Sequence, residues 1–332
     1  MNDRSSSSRP RRSGLVIGTL IWLLLIPSAA SAAEVQVIVT FNEQAGQNPE
    51  GLAIDKMGDT FVSMSPLGQL WKFAAGSTTS QVFGSVSGIV PGQDFGLLGL
   101  ATDRVGNVYG AVQAASPDAN GVWRFNRTTG SAARIPGSEA IQLPNGLAFD
   151  HLGNLYVTDS RMGAIWRVRP GGAAQVWLQD PQLSGDGSLG LFIGANGIAF
   201  RNGVLYVTNT ERRTFMRVPV RPDGTPGPLS VVTNFAPGVN PDGVTMDVFG
   251  DAFVALNLQN AITRVAPNGT QQIVTSGDPL DFPSSVTFGT TRGNRSSLFA
   301  VNFSISELFG LPSGFGPALL RIPVGTPGMP LP

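Results

Sequence analysis

Four short segments of the chain repeat one pattern, in which a polar residue precedes a glycine and a short apolar run. The segments are Pro49-Glu50-Gly51-Leu52-Ala53, Pro144-Asn145-Gly146-Leu147-Ala148, Ala195-Asn196-Gly197-Ile198-Ala199 and Pro241-Asp242-Gly243-Val244-Thr245. The second position of the pattern, which we call the slot, therefore holds two carboxylates and two amides. If the repeats surround an axis, the slots form a ring of oxygen ligands, which suits a hard cation and most naturally calcium.

The repeat extends beyond these four segments. Aligned on the residue after the slot, the chain gives six units, which begin at Gly51, Gly99, Gly146, Gly197, Gly243 and Ser285. Subtraction of these numbers gives spacings of 48, 47, 51, 46 and 42 residues. Units of this length are typical of the blades of a β-propeller.

Each unit contains short apolar or alternating runs separated by turn residues. The third unit is the clearest, with Leu147–Asp150, then the turn 151–154, then Leu155–Thr158 and Ile165–Val168. Such runs are typical of strands in hairpins, and a fourth strand follows in most units, as in 174–178. Four strands in each of six units predict an all-β fold, a six-bladed β-propeller.

The two ends of the repeat region complement each other. Glu34–Phe41 precedes the first unit as a strand without three predecessors, whereas the last unit stops after Ala318–Pro323, which is typical of a third strand. We therefore expect the N-terminal strand to complete the last blade and to cover its edge.

Composition is consistent with a single domain at residues 33–332. Charged residues make up 13% of the chain, cysteine is absent and the formal net charge is zero. Without cysteine the domain has no disulfides and depends on its core, on ring closure and on any bound metal. Without a basic stripe, nucleic acid is not an expected partner. Nothing in the sequence indicates an oligomeric state.

The N-terminus has the features of a secretory signal peptide at residues 1–32. Arg11 and Arg12 precede the apolar run Leu15–Ile26, and an Ala-Ser-Ala sequence stands before Ala33. The run of roughly 12 residues is short for a membrane span. We expect export to the periplasm or the extracellular space and no stable membrane span after cleavage, the alternative being an uncleaved anchor.

The order Glu, Asn, Asn, Asp at the slots of units one, three, four and five resembles the senescence marker protein/gluconolactonase family. More broadly, it resembles the calcium-dependent propellers that include paraoxonases and diisopropyl fluorophosphatase. The resemblance implies a calcium ion, or another divalent cation, bound by Glu50, Asn145, Asn196 and Asp242. In the gluconolactonase branch the third-unit Asn is often a substrate or water contact, so Asn145 also has that implied role.

The resemblance implies hydrolysis of a small lactone or ester, with the cation as a Lewis acid. It assigns Asp242 as general base or nucleophile, although pure ligation is an alternative for that residue. The two remaining slots hold Leu98, which can only form a wall, and Ser284, which either contacts a substrate or caps a turn.

Two departures from the family patterns leave the substrate open. Gluconolactonases commonly have an arginine two positions before the third-unit Asn, where this chain has Leu143. Paraoxonase-like members use a histidine dyad, whereas the sole histidine, His151, follows Asp150 in a predicted surface turn. Polar residues after the second strands either line the channel or satisfy turn backbones, and these are Asp159, Asn209, Asn257 and Asn302.

The competing functional class is a non-catalytic propeller that binds a ligand or a protein. The stretch 145–159 also resembles NHL repeats, which often serve in recognition without turnover, although dissimilar slot residues favour a site. A lyase of the streptogramin-inactivating type is more remote, because those enzymes rely on a cavity histidine. We expect the loops 183–194 and 303–316 to cover the mouth of the cavity.

Overall fold

The computed structural model describes residues 1–2 and 34–331. The predicted signal peptide, residues 1–32, thus lies outside the described residues except for Met1 and Asn2. Within the described part of the chain, no helix combines the length and the apolar character needed to cross a membrane.

Over residues 34–331, 24 strands form six antiparallel sheets of four strands each. The first two blades comprise β2 (Pro49–Ile54), β3 (Thr60–Met64), β4 (Gln69–Phe73), β5 (Ser80–Ser85), β6 (Gly96–Thr102), β7 (Val108–Gln113), β8 (Gly121–Phe125) and β9 (Ala132–Arg134). The next two comprise β10 (Pro144–Phe149), β11 (Leu155–Asp159), β12 (Ala164–Val168), β13 (Ala174–Gln179), β14 (Ala195–Arg201), β15 (Val204–Asn209), β16 (Thr214–Pro219) and β17 (Ser230–Asn234). The last two comprise β18 (Pro241–Met246), β19 (Ala252–Leu256), β20 (Ala261–Val265), β21 (Gln271–Ser276), β22 (Pro283–Phe288), β23 (Ser297–Asn302), β24 (Ala318–Pro323) and β1 (Gln36–Thr40).

Short 3-10 turns interrupt the connections, at Glu43–Ala45, Ser65–Leu67, Ser138–Ala140, Pro181–Leu183 and Ser306–Phe309. The first strands of the six blades contact one another in a closed cycle, from β2 through β6, β10, β14, β18 and β22 back to β2. The prediction of a six-bladed β-propeller is therefore confirmed.

The hydrophobic core lies between blades. Six apolar clusters occur in residues 34–331, and each combines side chains from two adjacent blades. Between blades three and four, for example, Tyr156 and Trp177 meet edge to face with ring centroids 5.1 Å apart, and Leu205 is fully buried beside them. Because both faces of each sheet are covered in this way, the burial of apolar surface holds the ring together.

The hairpin turn after an innermost strand is built on an aspartate. Asp150 Oδ1 accepts hydrogen bonds of 2.9 Å from the backbone N–H groups of both Leu152 and Asn154, and Gly153 has a φ of 82°. Asp55, Asp103 and Asp247 accept equivalent bonds. These turns lie at the end of the inner strands opposite the slots, so their carboxylates stabilise the fold and do not contribute to the slot ring.

The N-terminal strand closes the ring as predicted. β1 pairs antiparallel with β24 at the outer edge of the last blade, with Gln36 opposite Arg321. Phe41, which follows β1, meets Trp71 of the first blade edge to face at 6.1 Å. A segment that bonds to the last blade and packs on the first holds these two blades together without a covalent link.

Deletion of Val35–Phe41 should abolish the cooperative unfolding transition, because it exposes the edge of β24 and uncovers the cluster between the last and first blades. Thermal unfolding followed by far-ultraviolet circular dichroism would measure this. Val37→Ser is the matched control, since 42% of Val37 is exposed, and should leave the transition intact. An unchanged melting curve after the deletion would contradict the closure described here.

Candidate functional site

The four polar slot residues each stand second in an innermost strand. Glu50, Asn145, Asn196 and Asp242 are buried, and all four line one central channel. The pairing with the second strand shifts at this point, so that one extra residue is accommodated between Pro49 and Leu52 and at the equivalent places in the other three strands. Such a bulge re-aims a side chain, and here the slot residues face the channel. The structure thus brings the four predicted ligands together.

A glycine follows each of these slots because the neighbouring blade approaches very closely. A Cβ atom on Gly146 would overlap the backbone oxygen of Asn196, and one on Gly197 would overlap that of Asp242. Neither glycine has a positive φ. Close packing at the channel therefore explains these glycines, and a tight turn does not.

Hydroxyl groups on the second strands fix the backbone of the slots. Thr158 Oγ1 accepts a hydrogen bond from Gly146 N (2.8 Å) and donates one to Asn196 O in the next blade (2.6 Å). Thr208 Oγ1 likewise donates to Asp242 O (2.6 Å). Ser284 lines the channel, but its hydroxyl donates to Glu50 O at 2.8 Å. Ser284 thus links the last blade to the first, and its proton is engaged within the protein.

The channel carries two buried carboxylates without a positive counterpart. Burial, and secondarily the negative charge of Asp242, raise the pKa of Glu50 well above its ordinary value. Burial raises the pKa of Asp242 to about 7, although hydrogen bonds from Asn257 and Asn196 act in the opposite direction. Glu50 Oε2 has no hydrogen-bond partner among the described residues. In residues 34–331, no lysine, arginine or histidine lines the channel.

These residues fit a divalent cation. The amide nitrogen of Asn145 donates to Ser160 Oγ (3.3 Å) and that of Asn196 to Thr210 Oγ1 (2.9 Å), which leaves each amide oxygen available as a ligand. Two carboxylates would balance the charge of the ion, and the unpartnered Glu50 oxygen would gain a partner. The described residues contain no cluster of three or more Asp, Glu, His and Cys side chains that could hold a metal, so amides and solvent would complete its coordination.

The polar residues after the second strands divide into two groups. Asp159 Oδ1 accepts from Leu143 N (3.0 Å), Asn209 Nδ2 donates to Ser184 O (3.0 Å), and Asn302 Nδ2 donates to Pro279 O (2.7 Å). These three satisfy loop backbones. Asn257 instead lines the cavity, and its Nδ2 donates to Asp242 Oδ2 at 2.7 Å. Of the four residues for which the sequence left two roles open, Asn257 alone joins the site.

Above the slots lies a chamber of about 230 Å³. Its floor contains Glu50, Asn145, Asn196 and Asp242, together with Thr210, Asn240 and Asn257. Its walls are apolar and come largely from the two loops predicted to cover the mouth. Loop 183–194 contributes Leu189, Leu191 and Ile193, and loop 303–316 contributes Phe303, Ile305, Leu308 and Phe309. The remaining apolar lining comes from Phe95, Leu98, Leu143, Leu258 and Phe282.

Two buried carboxylates outside the channel anchor these loops. Glu211 is fully buried, and its carboxylate accepts hydrogen bonds from Gly187 N (2.6 Å) and Leu191 N (3.3 Å). Asp281 accepts from the hydroxyls of Ser304 (2.6 Å) and Ser306 (3.0 Å). These hydrogen bonds hold in place the two loops that form most of the chamber wall. Neither anchor belongs to the slot pattern, so the repeat alone does not reveal them.

The opposite end of the channel forms a second cavity of about 180 Å³. The C-terminal residues Met329–Leu331 line it, and the segment is held by a hydrogen bond of 3.0 Å from Met329 N to Met246 O. The slot ring therefore separates an apolar chamber on one side from a channel that the chain terminus partly fills on the other.

His151 lies outside both cavities. It is exposed in the turn after β10, and its ring faces Phe200 with centroids 5.9 Å apart. The prediction of a surface turn residue is confirmed. The structure thus supplies no histidine to the site, in accord with the departure from the paraoxonase pattern.

Comparisons with known proteins agree with this arrangement. The family described as SMP-30/Gluconolactonase/LRE-like region matches residues 188–299, which include Asn196, Asp242 and Asn257. The 6-deoxy-6-sulfogluconolactonase of Pseudomonas putida is 28% identical over 131 residues, which are 38% of this chain and 45% of that protein. The match thus spans less than half of this curated relative. The resemblance to the gluconolactonase family is confirmed.

Solved structures establish the fold over most of the chain. A luciferin-regenerating enzyme superposes with a TM-score of 0.68 at 13% identity, covering 90% of this chain and 98% of the other. Regucalcin from Agrobacterium tumefaciens, described as a calcium-binding protein, has a TM-score of 0.66 at 16% identity and covers 90% and 97%. At these identities the likeness concerns the fold alone.

The raised pKa values of Glu50 and Asp242 predict a stability that depends on pH when a chelator is present. In the unfolded chain both carboxyls lose their protons near pH 4, whereas in the folded chain that of Asp242 keeps its proton up to about pH 7. Between these values the folded state binds more protons, so its stability falls as pH rises. We expect the melting temperature in chelator to fall from pH 4.5 to 7.5, and calcium to reverse the fall.

The double variant Glu50→Gln/Asp242→Asn serves as the reference for this measurement, because other carboxylates contribute equally to both proteins. The difference in melting temperature between variant and native protein should grow with pH. A difference in melting temperature that is constant across the pH range would show that burial does not disfavour the ionised forms of these two carboxyl groups.

Proposed function

We propose that this protein is a metal-dependent hydrolase that opens a lactone or an ester above the slot ring. The observation that carries the proposal is the pair of buried carboxylates, Glu50 and Asp242, which face a channel without positive charge directly beneath an apolar chamber. The similarity to a curated sulfogluconolactonase supports the reaction class. The described calcium binding of regucalcin supports the choice of metal.

Glu50, Asn145, Asn196 and Asp242 would hold the cation, with calcium as the expected ion. A bound cation polarises the substrate carbonyl and stabilises the negative charge that develops on its oxygen. Asn145 lies on the chamber floor and is also available to contact the substrate or a water molecule. Ser284 provides no free proton for this purpose, because its hydroxyl is bonded to Glu50 O.

Asp242 is the proposed reactive carboxylate. Asn257 donates a hydrogen bond to Asp242 Oδ2 and thereby orients the carboxyl group for chemistry or ligation. As a general base, Asp242 takes a proton from water while the water oxygen bonds to the carbonyl carbon, and the ester C–O bond then breaks with the proton passing to the departing alkoxide. As a nucleophile, it bonds to the carbonyl carbon and displaces the alkoxide, which takes a proton from a water molecule. The resulting hydroxide then cleaves the acyl-aspartate to the acid and the free Asp242 carboxylate.

Two single variants separate ligation from chemistry. Asp242→Asn should leave the melting temperature similar or higher but reduce kcat by about 10²–10⁴-fold, the range typical for a lost general acid or base. Glu50→Gln should chiefly weaken calcium binding and retain activity at saturating calcium. Titration calorimetry with calcium and initial rates on a panel of lactones and esters give both readouts.

The double variant Glu50→Gln/Asp242→Asn is the control for binding at the ring and should show no calcium uptake. Calcium binding that survives in this variant would place the metal elsewhere. A folded native protein that binds no calcium and cleaves no substrate would overturn the proposal in favour of the non-catalytic, NHL-like propeller.

We further propose that the chain is exported after cleavage of residues 1–32, on the basis of the basic, apolar and small-residue series at the N-terminus. N-terminal sequencing of the protein recovered from the periplasm or the medium should begin at Ala33. Recovery of the full chain in the membrane fraction would indicate the uncleaved anchor instead.

A further inference from the structure

We infer that the substrate carries an uncharged apolar tail, such as the alkyl chain of a lactone or of a simple ester, and that a polyhydroxylated sugar lactone is a poor substrate. The inference rests on the proposed function, because it assigns the substrate class of the same site. It follows from how polar and apolar groups are distributed in the chamber.

The polar groups of the chamber are confined to its floor. Above the slots, the wall consists of aliphatic and aromatic side chains from the two anchored loops and the blade ends. Phe282 and Phe309 stack with ring centroids 5.3 Å apart and a 19° interplanar angle, which gives one side of the wall a flat aromatic surface. A ligand that fills this space exchanges water for apolar contact, so an apolar tail gains affinity there.

A sugar lactone would lack partners for its hydroxyl groups. Thr210 Oγ1 already donates to Pro241 O (2.8 Å), and the amide nitrogen of Asn257 is bonded to Asp242. Beyond the slots, the amide oxygens of Asn240 and Asn257 accept no hydrogen bond within the described residues, and that of Asn240 is buried. Most hydroxyl groups of a sugar lactone would therefore be buried unpaired, which is costly.

The charged residues that line the chamber also favour a substrate with an uncharged, apolar tail. No lysine, arginine or histidine of residues 34–331 lines the chamber, and Leu143 is 1% exposed near the floor. A carboxylate or a phosphate on the tail would therefore meet apolar walls and no cationic partner. The substrate head, with its ester or lactone oxygens, belongs at the ring, and its tail lies between the two loops.

The test is the dependence of kcat/KM on chain length, measured with the full chain in saturating calcium. The probes are γ-lactones with alkyl substituents from methyl to hexyl, with glucono-1,5-lactone as the polar comparison. Each added methylene should raise kcat/KM about fourfold, from about 0.8 kcal/mol for a buried CH₂, until the chamber is full. The hexyl lactone should then exceed the sugar lactone by more than 100-fold.

Two phenylalanines of one loop provide a matched pair of variants. Phe309 lines the chamber, whereas Phe315 does not and is 41% exposed. Phe309→Ala should flatten the chain-length dependence, because it lowers kcat/KM for the hexyl lactone more than for the methyl lactone. Phe315→Ala should leave the dependence unchanged. An equal loss in both variants, or in neither, would overturn the assignment of the wall.

Binding of inert lactams separates this inference from the proposed function. The 5-alkyl-2-pyrrolidinones have the shape of the lactones without the hydrolysable ester, and calorimetry reports their affinity without turnover. Affinity that rises with chain length, and rises less in Phe309→Ala, supports the apolar chamber even if no lactone is cleaved. Rapid cleavage of the sugar lactone with no effect of chain length would support the proposed hydrolase function but overturn the inference of an apolar tail.

Discussion

The close approach of neighbouring inner strands at the slots is the constraint on which the rest of the structure depends. At this level a carbonyl oxygen from one blade occupies the space that a side chain would need on the next, so glycine is required at positions such as Gly146 and Gly197. Hydroxyls from the second strands, such as Thr158 and Thr208, bond these same carbonyls. The slot backbones are thus held at equivalent places around the axis, and the site has its geometry before any ligand arrives.

That geometry places two carboxyl groups in a buried channel, where their ionised forms are costly without a positive charge nearby. The ring brings Glu50 and Asp242 into a channel where burial disfavours the ionised form of both and the charge of Asp242 further disfavours that of Glu50. Residues 34–331 supply no cationic side chain there to balance them. A natural protein tolerates such an arrangement where a ligand compensates it, since burial of unpaired charge otherwise costs stability. The amides of Asn145 and Asn196 are bonded through their nitrogens, so their oxygens complete a set of ligands suited to a hard cation.

The sequence predicts the architecture well because the repeat encodes it locally. The blade spacing, the strands of the third unit, the closure by the N-terminal strand and the surface turn at His151 all follow from short-range patterns. The separate role of Asn257 does not, because strand register decides it. Asp159, Asn209 and Asn302 pair with the residue before their slot, whereas in blade five Leu256 does so and Asn257 lies one position further on. Asn257 occupies the place of Ser160 and Thr210, whose hydroxyls also contact the slot residue of their own blade. The other three bond to loop backbone groups, and that depends on contacts between distant segments.

The chamber depends on the same kind of distant contact. Its walls come from loops that break the repeat, and each loop is held by a buried carboxylate on another element, Glu211 for one and Asp281 for the other. The ring is constrained by packing on every side, whereas the loops contribute side chains that no neighbouring blade requires. A change in those side chains can therefore alter what the chamber accepts without disturbing the ring. Under the proposed function, reaction chemistry and substrate choice would thus be set by separate parts of the molecule.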